Sequence, residues 1–209
     1  MIHVYAFATP NSLKIPIALE ELELPYRLIA VNLRNGEQKS SDFVAMNANA
    51  KIPVIVDRNA TGTEPVTLSE SGAILLYLAE KTGRLLPTAP QPRARTIEEL
   101  FFHAGGLAPA FTNSFFQKIA KTPDPAVAAR ALAEADRTLS VFETRLGESR
   151  YVAGDEFTIA DIAHYGWLWR HEAVGVSLDG TPNVKRWFDA VSNRDTVNRA
   201  ISKTVALAS

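Results

Sequence analysis

The chain has 209 residues, 46% of them hydrophobic, with a formal net charge of −1 and no cysteine. That length holds two small domains or one large one. The balanced, dispersed charge argues against a nucleic-acid surface, no apolar run approaches a membrane span, and the missing cysteine rules out a disulfide framework, a thiolate metal site and a cysteine nucleophile. The opening residues Met1-Ile2-His3-Val4-Tyr5 lack a charged leader followed by an apolar stretch, so no signal peptide is expected and a cytoplasmic setting fits.

In chain order, residues 3–7 form a short β-prone run, with Tyr5 expected to be buried or stacked. Residues 12–23 carry Ile15, Ala18, Leu19 and Leu22 at helical spacing. Residues 26–31 read as a second strand punctuated by Pro25, and Ser41 or Asp42 starts a short helix ending at Met46. Two short strands, 54–56 and 66–68, flank a turn-rich segment at 57–62. Residues 70–81 form a helix with Ile74, Leu75 and Leu78 inward and Gly83 as its stop. The order β-α-β-α-β-β-α is the plan of a thioredoxin-like domain, over residues 1–83. Pro87, Pro90 and Pro92 then crowd a segment read as a linker, 84–92. Beyond it, residues 93–209 show only helical patterns, at 94–116, 124–146, 159–171, 184–192 and 196–205. The fold class is α/β followed by all-α.

Three places carry chemistry. Ile52-Pro53 is an X-Pro bond just before a strand, where a cis peptide leaves backbone groups open to an extended ligand. Glu70-Ser71 falls at a helix start, where free N–H groups and a hydroxyl suit a carboxylate. Together they suggest a pocket for a small peptide. Thr158-Ile159-Ala160-Asp161 is a capping-box sequence with Phe157 as a hydrophobic staple, and a structural role for Asp161 outweighs a catalytic one. The histidines His103 and His171 lack metal-ligand spacing, so no metal is expected.

Four motifs, Thr9-Pro10-Asn11, residues 47–53, residues 70–78 and Gly105-Gly106-Leu107, follow one another in this order. In them the sequence resembles the glutathione transferase superfamily, closest to the bacterial Nu-class enzymes and the fungal Ure2-like proteins. The resemblance implies an all-helical transferase C-terminal domain, a homodimer, and glutathione, reduced or oxidised, as substrate with no permanently bound cofactor. It implies that Ile52, before a cis Pro53, pairs with the cysteinyl backbone of glutathione. Glu70 and Ser71 would hold the γ-glutamyl end, with Gln38 and Lys51 near the glycyl end.

Thr9 and Asn11 would face the sulfur as electrostatic catalysts, since neither is a base at neutral pH. The plain alternative is that Asn11 and Ser12 cap the first helix. A second substrate would meet His103, Asn113, Phe115, Phe116 and Trp167 by analogy of location, although aromatic residues on helices are by default core. Arg130 matches an arginine that reaches glutathione across the dimer, or else belongs to a solvated face. The expected activity is disulfide reduction by glutathione thiols, with weak transferase or peroxidase activity on a small electrophile or peroxide. Ordinary glutathione conjugation and a non-catalytic glutathione-binding regulator or scaffold stay open as alternatives.

Overall fold

In the computed structural model the described residues are 1–60 and 64–208. The elements run β1 (Ile2–Ala6), α1 (Pro10–Glu21), β2 (Tyr26–Ala30), α2 (Ser41–Met46), β3 (Val54–Asp57), β4 (Val66–Ser69), α3 (Ser71–Thr82), α4 (Pro90–Phe102), α5 (Ala108–Ile119), α6 (Pro125–Glu148), α7 (Ile159–Leu168), α8 (His171–Val174), α9 (Pro182–Ser192) and α10 (Asp195–Val205). The strands form one sheet in the order β2-β1-β3-β4. β1 and β2 are parallel, pairing Ile2 with Tyr26 through Ala6 with Ala30. β1–β3 and β3–β4 are antiparallel. This is the thioredoxin-like plan expected from the pattern. The end of the 57–62 turn, Thr61 and Gly62, lies outside the described residues.

Contacts group the chain into two units, Met1–Arg84 with Asn193–Ser209, and Leu85–Ser192. In the first unit, α1 buries Leu13, Ile15, Ile17, Ala18 and Leu19 completely, because α3 and α10 both pack on it. Tyr5 packs against the cluster of Val31, Phe43 and Val54, as expected of a mid-strand tyrosine.

The sequence pattern assigns everything after residue 92 to the helical domain, whereas α10 groups with the first unit. The reason is an ion-pair lock at the last turn of α1. Arg194 donates to both carboxylate oxygens of Glu21 at 2.6 and 2.7 Å, and the Thr196 hydroxyl joins them. Arg199 and Lys203 reach Glu20 at 2.9 and 2.6 Å, and Tyr26 donates to the same carboxylate at 2.7 Å. Two carboxylates at a helix C-terminus oppose its dipole; the cations of α10 reverse that penalty.

Partial burial works against the charge of Glu20, yet the hydrogen bonds from Lys203, Tyr26 and Arg199 hold its pKa down to about 2. Glu21 is lowered in the same way. A carboxylate whose folded pKa lies below its unfolded one stabilises the fold above the unfolded value, and that contribution is lost as pH falls through the folded value. The urea midpoint is therefore expected to drop as pH falls from about 5 towards 2. Glu20→Gln is expected to flatten that slope and lower the midpoint at neutral pH. An acid slope equal to that of the unaltered protein would show that the Glu20 lock contributes nothing.

The second unit is all-helical. α7 is buried on every side, with no exposed residue from Ile159 to Leu168, which makes it the central helix. The His164 ring stacks on Phe142 at 4.5 Å, and Phe142 meets Trp187 edge-on at 5.0 Å. The single helix expected at 94–116 is instead α4 and α5 joined by one π-helical turn, His103–Leu107. Gly106 sits in that turn, where a Cβ would lie 3.3 Å from the Phe102 ring. The proposed linker 84–92 already holds the start of α4, because Pro90 occupies the first helical position, where a missing N–H costs nothing.

Asp161 closes the capping box: its Oδ2 accepts from the Thr158 N–H at 2.8 Å, while Thr158 Oγ1 accepts from the Ala160 N–H at 3.3 Å. Phe157 meets Tyr151 edge-on at 5.6 Å.

Candidate active site

The first unit holds a cleft of about 230 Å³ lined by Asn11, Asn47, Asn49, Lys51, Ile52, Pro53, Glu70 and Ser71. Three segments supply it: the first turn of α1, the loop from α2 to β3, and the start of α3. Each is built by local chemistry. Thr9 is the N-cap of α1, its Oγ1 accepting from the Ser12 N–H at 3.3 Å, with Pro10 at the first helical position. That places Asn11 on the first turn, partly exposed.

The α2–β3 loop is tied by the buried Asn47. Its Nδ2 donates to the Lys51 carbonyl at 2.7 Å, and its Oδ1 accepts from the Asn49 N–H at 3.1 Å. Within the loop Ala50 takes a positive φ of 53°, and the Ile52–Pro53 bond is cis.

Glu70 is the N-cap of α3 with φ 68° and ψ 113°. That is a sparsely populated conformation for a residue with a side chain, held where the surrounding structure over-determines it and common at binding sites. Its side chain makes no cap hydrogen bond. The caps of α1, α2 and α6 do, through Thr9, Ser40 and Asp124. The first N–H groups of α3 are thus not met by their own cap, at the positive end of a three-turn helix. Glu70 itself is exposed, so one lip of the cleft carries a carboxylate beside an anion-attracting helix end.

Beneath the cleft lies Lys14, 1% exposed. Its Nζ donates to Asn11 Oδ1 at 2.8 Å and to Ser71 Oγ at 3.3 Å. Burial pushes its pKa down to about 7, with the Glu70 carboxylate acting in the opposite direction.

Of the residues chosen from sequence, Asn11, Lys51, Ile52, Pro53, Glu70 and Ser71 meet in this cleft. Thr9 does not line it; its hydroxyl donates to Ser12 Oγ at 3.1 Å, and it holds the cap position that the alternative reading gave to Asn11 and Ser12. Gln38 also stands outside the lining, with Oε1 buried and without a hydrogen-bond partner. His103 and Trp167 are core residues, 4% and 5% exposed, facing His164 and Phe111 edge-on. Phe115 is half-buried against the exposed Phe116 at 5.6 Å. Asn113 and Arg130 share a groove of about 470 Å³ between α5 and α6. Of the five second-substrate candidates, Asn113 lines that groove, while His103 and Trp167 are core side chains.

Sequence reasoning missed Asn47, Asn49 and Lys14 as site residues. The first two carried a signal: asparagines punctuating a loop before a strand bond the backbone locally and set its turns. Lys14 also left a trace, since it lies three residues after Asn11 and four before the buried Ala18, on a face shared with both. Among the described residues no group of three or more histidine, aspartate or glutamate side chains is placed to hold a metal. No helix there is long and apolar enough to cross a membrane.

The family model described as Glutathione S-transferase, N-terminal domain, matches residues 1–80, and that described as Glutathione S-transferase, C-terminal domain, matches 103–195. The chain is 41% identical over 207 residues to the disulfide-bond oxidoreductase YfcG of Escherichia coli, covering 97% of this chain and 95% of that protein. A glutathione transferase family member from Pseudomonas fluorescens, solved with two glutathione bound, superposes with a TM-score of 0.90 at 38% identity over 96% of this chain and 92% of that one. A glutathione transferase from Pseudomonas putida, solved with one glutathione disulfide per subunit, does so with 0.89 at 34% identity over 96% and 90%. With both domain models matched and a relative this similar along nearly its whole length, the chain belongs to the glutathione S-transferase family, and it is an enzyme of that type.

Proposed function

We propose that the protein is a glutathione-dependent disulfide reductase in which glutathione supplies both thiols. One observation carries the reading: a cleft whose lining brings together Asn11, Lys51, Ile52, Glu70 and Ser71, in a chain without any cysteine. Glu70 attracts the γ-glutamyl ammonium, and the Ser71 hydroxyl with the first N–H groups of α3 takes the adjacent carboxylate. The Ile52 backbone meets the cysteinyl residue, and the exposed Lys51 ammonium lies near the glycyl carboxylate. Asn11 stabilises the sulfur as thiolate by hydrogen bonding, which lowers the pKa of a thiol without abstracting its proton.

The thiolate attacks one sulfur of a small disulfide. A sulfur–sulfur bond forms to glutathione, the substrate's own breaks, and the first thiolate leaves to be protonated by water. A second glutathione thiolate then attacks the mixed disulfide, releasing the second thiol and glutathione disulfide. Two electrons pass from two glutathione thiols to the substrate, and no protein group changes oxidation state. The name of the E. coli relative, and the paired or oxidised glutathione in the solved relatives, support this scheme. A homodimer in the cytoplasm, where glutathione is kept mostly reduced, suits the chemistry. Arg130, exposed on α6, is the residue offered to a second copy.

Turnover of 2-hydroxyethyl disulfide with glutathione, set beside 1-chloro-2,4-dinitrobenzene, tests the proposal. Fast disulfide reduction with slow conjugation is the expected result. The reverse pattern would make the protein a conjugating transferase, and silence on both with glutathione still bound would make it a regulator. Ser71→Ala is expected to weaken glutathione binding about tenfold while sparing turnover at saturation. An unchanged affinity would place the γ-glutamyl end elsewhere.

A further inference from the structure

Lys14 is a long cation sealed inside the first turns of α1, and its hydrogen bonds to Asn11 and Ser71 both go to side chains of the cleft wall. An ammonium carries three hydrogens and no lone pair, so any group facing it accepts. Two orientations follow. The Asn11 carboxamide must turn its oxygen inward to Lys14, which leaves the Nδ2 hydrogens as the face it offers the cleft. The Ser71 oxygen likewise accepts from Lys14, which leaves its hydroxyl hydrogen free to donate. Asn11 belongs to α1 and Ser71 to α3, so one buried cation governs a donor on each side.

We propose that Lys14 is the positioning residue of the cleft: it makes Asn11 and Ser71 hydrogen-bond donors together, and so couples the thiolate end of the ligand to its γ-glutamyl carboxylate. This rests on reading the cleft as a glutathione site. Burial depresses the pKa of Lys14 and the Glu70 carboxylate opposes it, so a ligand carboxylate held beside Ser71 would act in the same direction as Glu70. Lys14 touches no reacting atom; it acts through the two groups it orients.

S-methylglutathione, whose sulfur cannot ionise, separates binding from thiol chemistry. Lys14→Met keeps the length and apolar volume of the stem, and exchanging a buried charge for a fitting apolar side chain is commonly neutral or stabilising. The variant is expected to melt no lower than the unaltered protein yet bind S-methylglutathione at least about tenfold more weakly by calorimetry. The thiol of bound glutathione, followed through the ultraviolet absorbance of its thiolate, is expected to ionise about one pH unit higher in the variant. Lys14→Gln, which restores a neutral donor, is expected to recover part of both.

Identical affinity and identical thiol titration in the two proteins would overturn the positioning role. Failure of the unaltered protein to bind S-methylglutathione would instead overturn the glutathione reading, a distinct result. Should the methionine variant not fold, Lys14→Gln decides the matter: weaker binding of S-methylglutathione and a raised thiol pKa are expected relative to the unaltered protein, and no change in either would overturn the proposal.

Discussion

Asp161→Ala is expected to cost about 3–5 kcal/mol of the roughly 5–15 kcal/mol that holds a domain folded. The side chain is 0% exposed and fully committed. Its Oδ1 accepts from the Val152 N–H at 3.0 Å and from Trp187 Nε1 at 2.8 Å. Its Oδ2 accepts from the Thr158 N–H at 2.8 Å and the Thr158 hydroxyl at 3.1 Å. One carboxylate thereby joins the segment before α7, the cap of α7 and the centre of α9. Alanine leaves the Trp187 indole and two backbone N–H groups buried without an acceptor, and each orphan costs about 1–3 kcal/mol.

Asp161→Asn gives a graded control. It keeps the oxygen facing Val152 and Trp187 but turns an amide N–H₂ towards the Thr158 N–H, donor against donor, so an intermediate loss is expected. Urea midpoints of the three proteins measure the series. An alanine variant within about 1 kcal/mol of the parent would show that water replaces these bonds and that the network is not a structural keystone.

The second large effect is expected at Asn11. Asn11→Ala should lower disulfide-reducing turnover about a hundredfold, the scale seen when one donor to a developing or resident anion is removed. Affinity for S-methylglutathione should change far less, because the lost bond serves the sulfur alone. Asn11→Asp sharpens the test. Aspartate keeps an oxygen facing the Lys14 ammonium, so the fold is expected to hold or gain stability. The same substitution replaces the Nδ2 donor by a second anionic oxygen beside the thiolate, and turnover should fall further than in the alanine variant. Loss of affinity equal to the loss of turnover in Asn11→Ala would mean that Asn11 only binds. Turnover retained in Asn11→Asp would remove it from the chemistry altogether.

Much of the site is legible in the order of its residues. Local chemistry writes it: Gly83 ends α3 in the left-handed conformation at φ 67°, Thr158 and Asp161 form the expected box, and Ile52-Pro53 and Glu70-Ser71 flank one cleft. These motifs are short, and their physics involves neighbours within a few residues, so spacing alone announces them. Sequence and structure part where a local signal has two structural meanings. Clustered prolines describe a linker or a helix start, and Pro90 is the latter. A hydroxyl beside an asparagine at a strand-to-helix turn describes a catalyst or a cap, and the Thr9 hydroxyl is spent on the cap.

Sequence by itself determined the strand and helix order of the first half, the helical character of the second, and the Ile52-Pro53 and Glu70-Ser71 pairs of the cleft, because hydrophobic period and turn chemistry are properties of adjacent residues. Tertiary structure alone decided that α10 returns to α1, since Glu21 meets Arg194 across 173 residues of chain and neither residue marks the other. It also decided that Lys14, a side chain that by composition belongs in water, lies buried under the cleft. Burial of a charge depends on which elements close over it and which acceptors they bring, and only the folded arrangement of α1 and α3 supplies Asn11 and Ser71 to that ammonium.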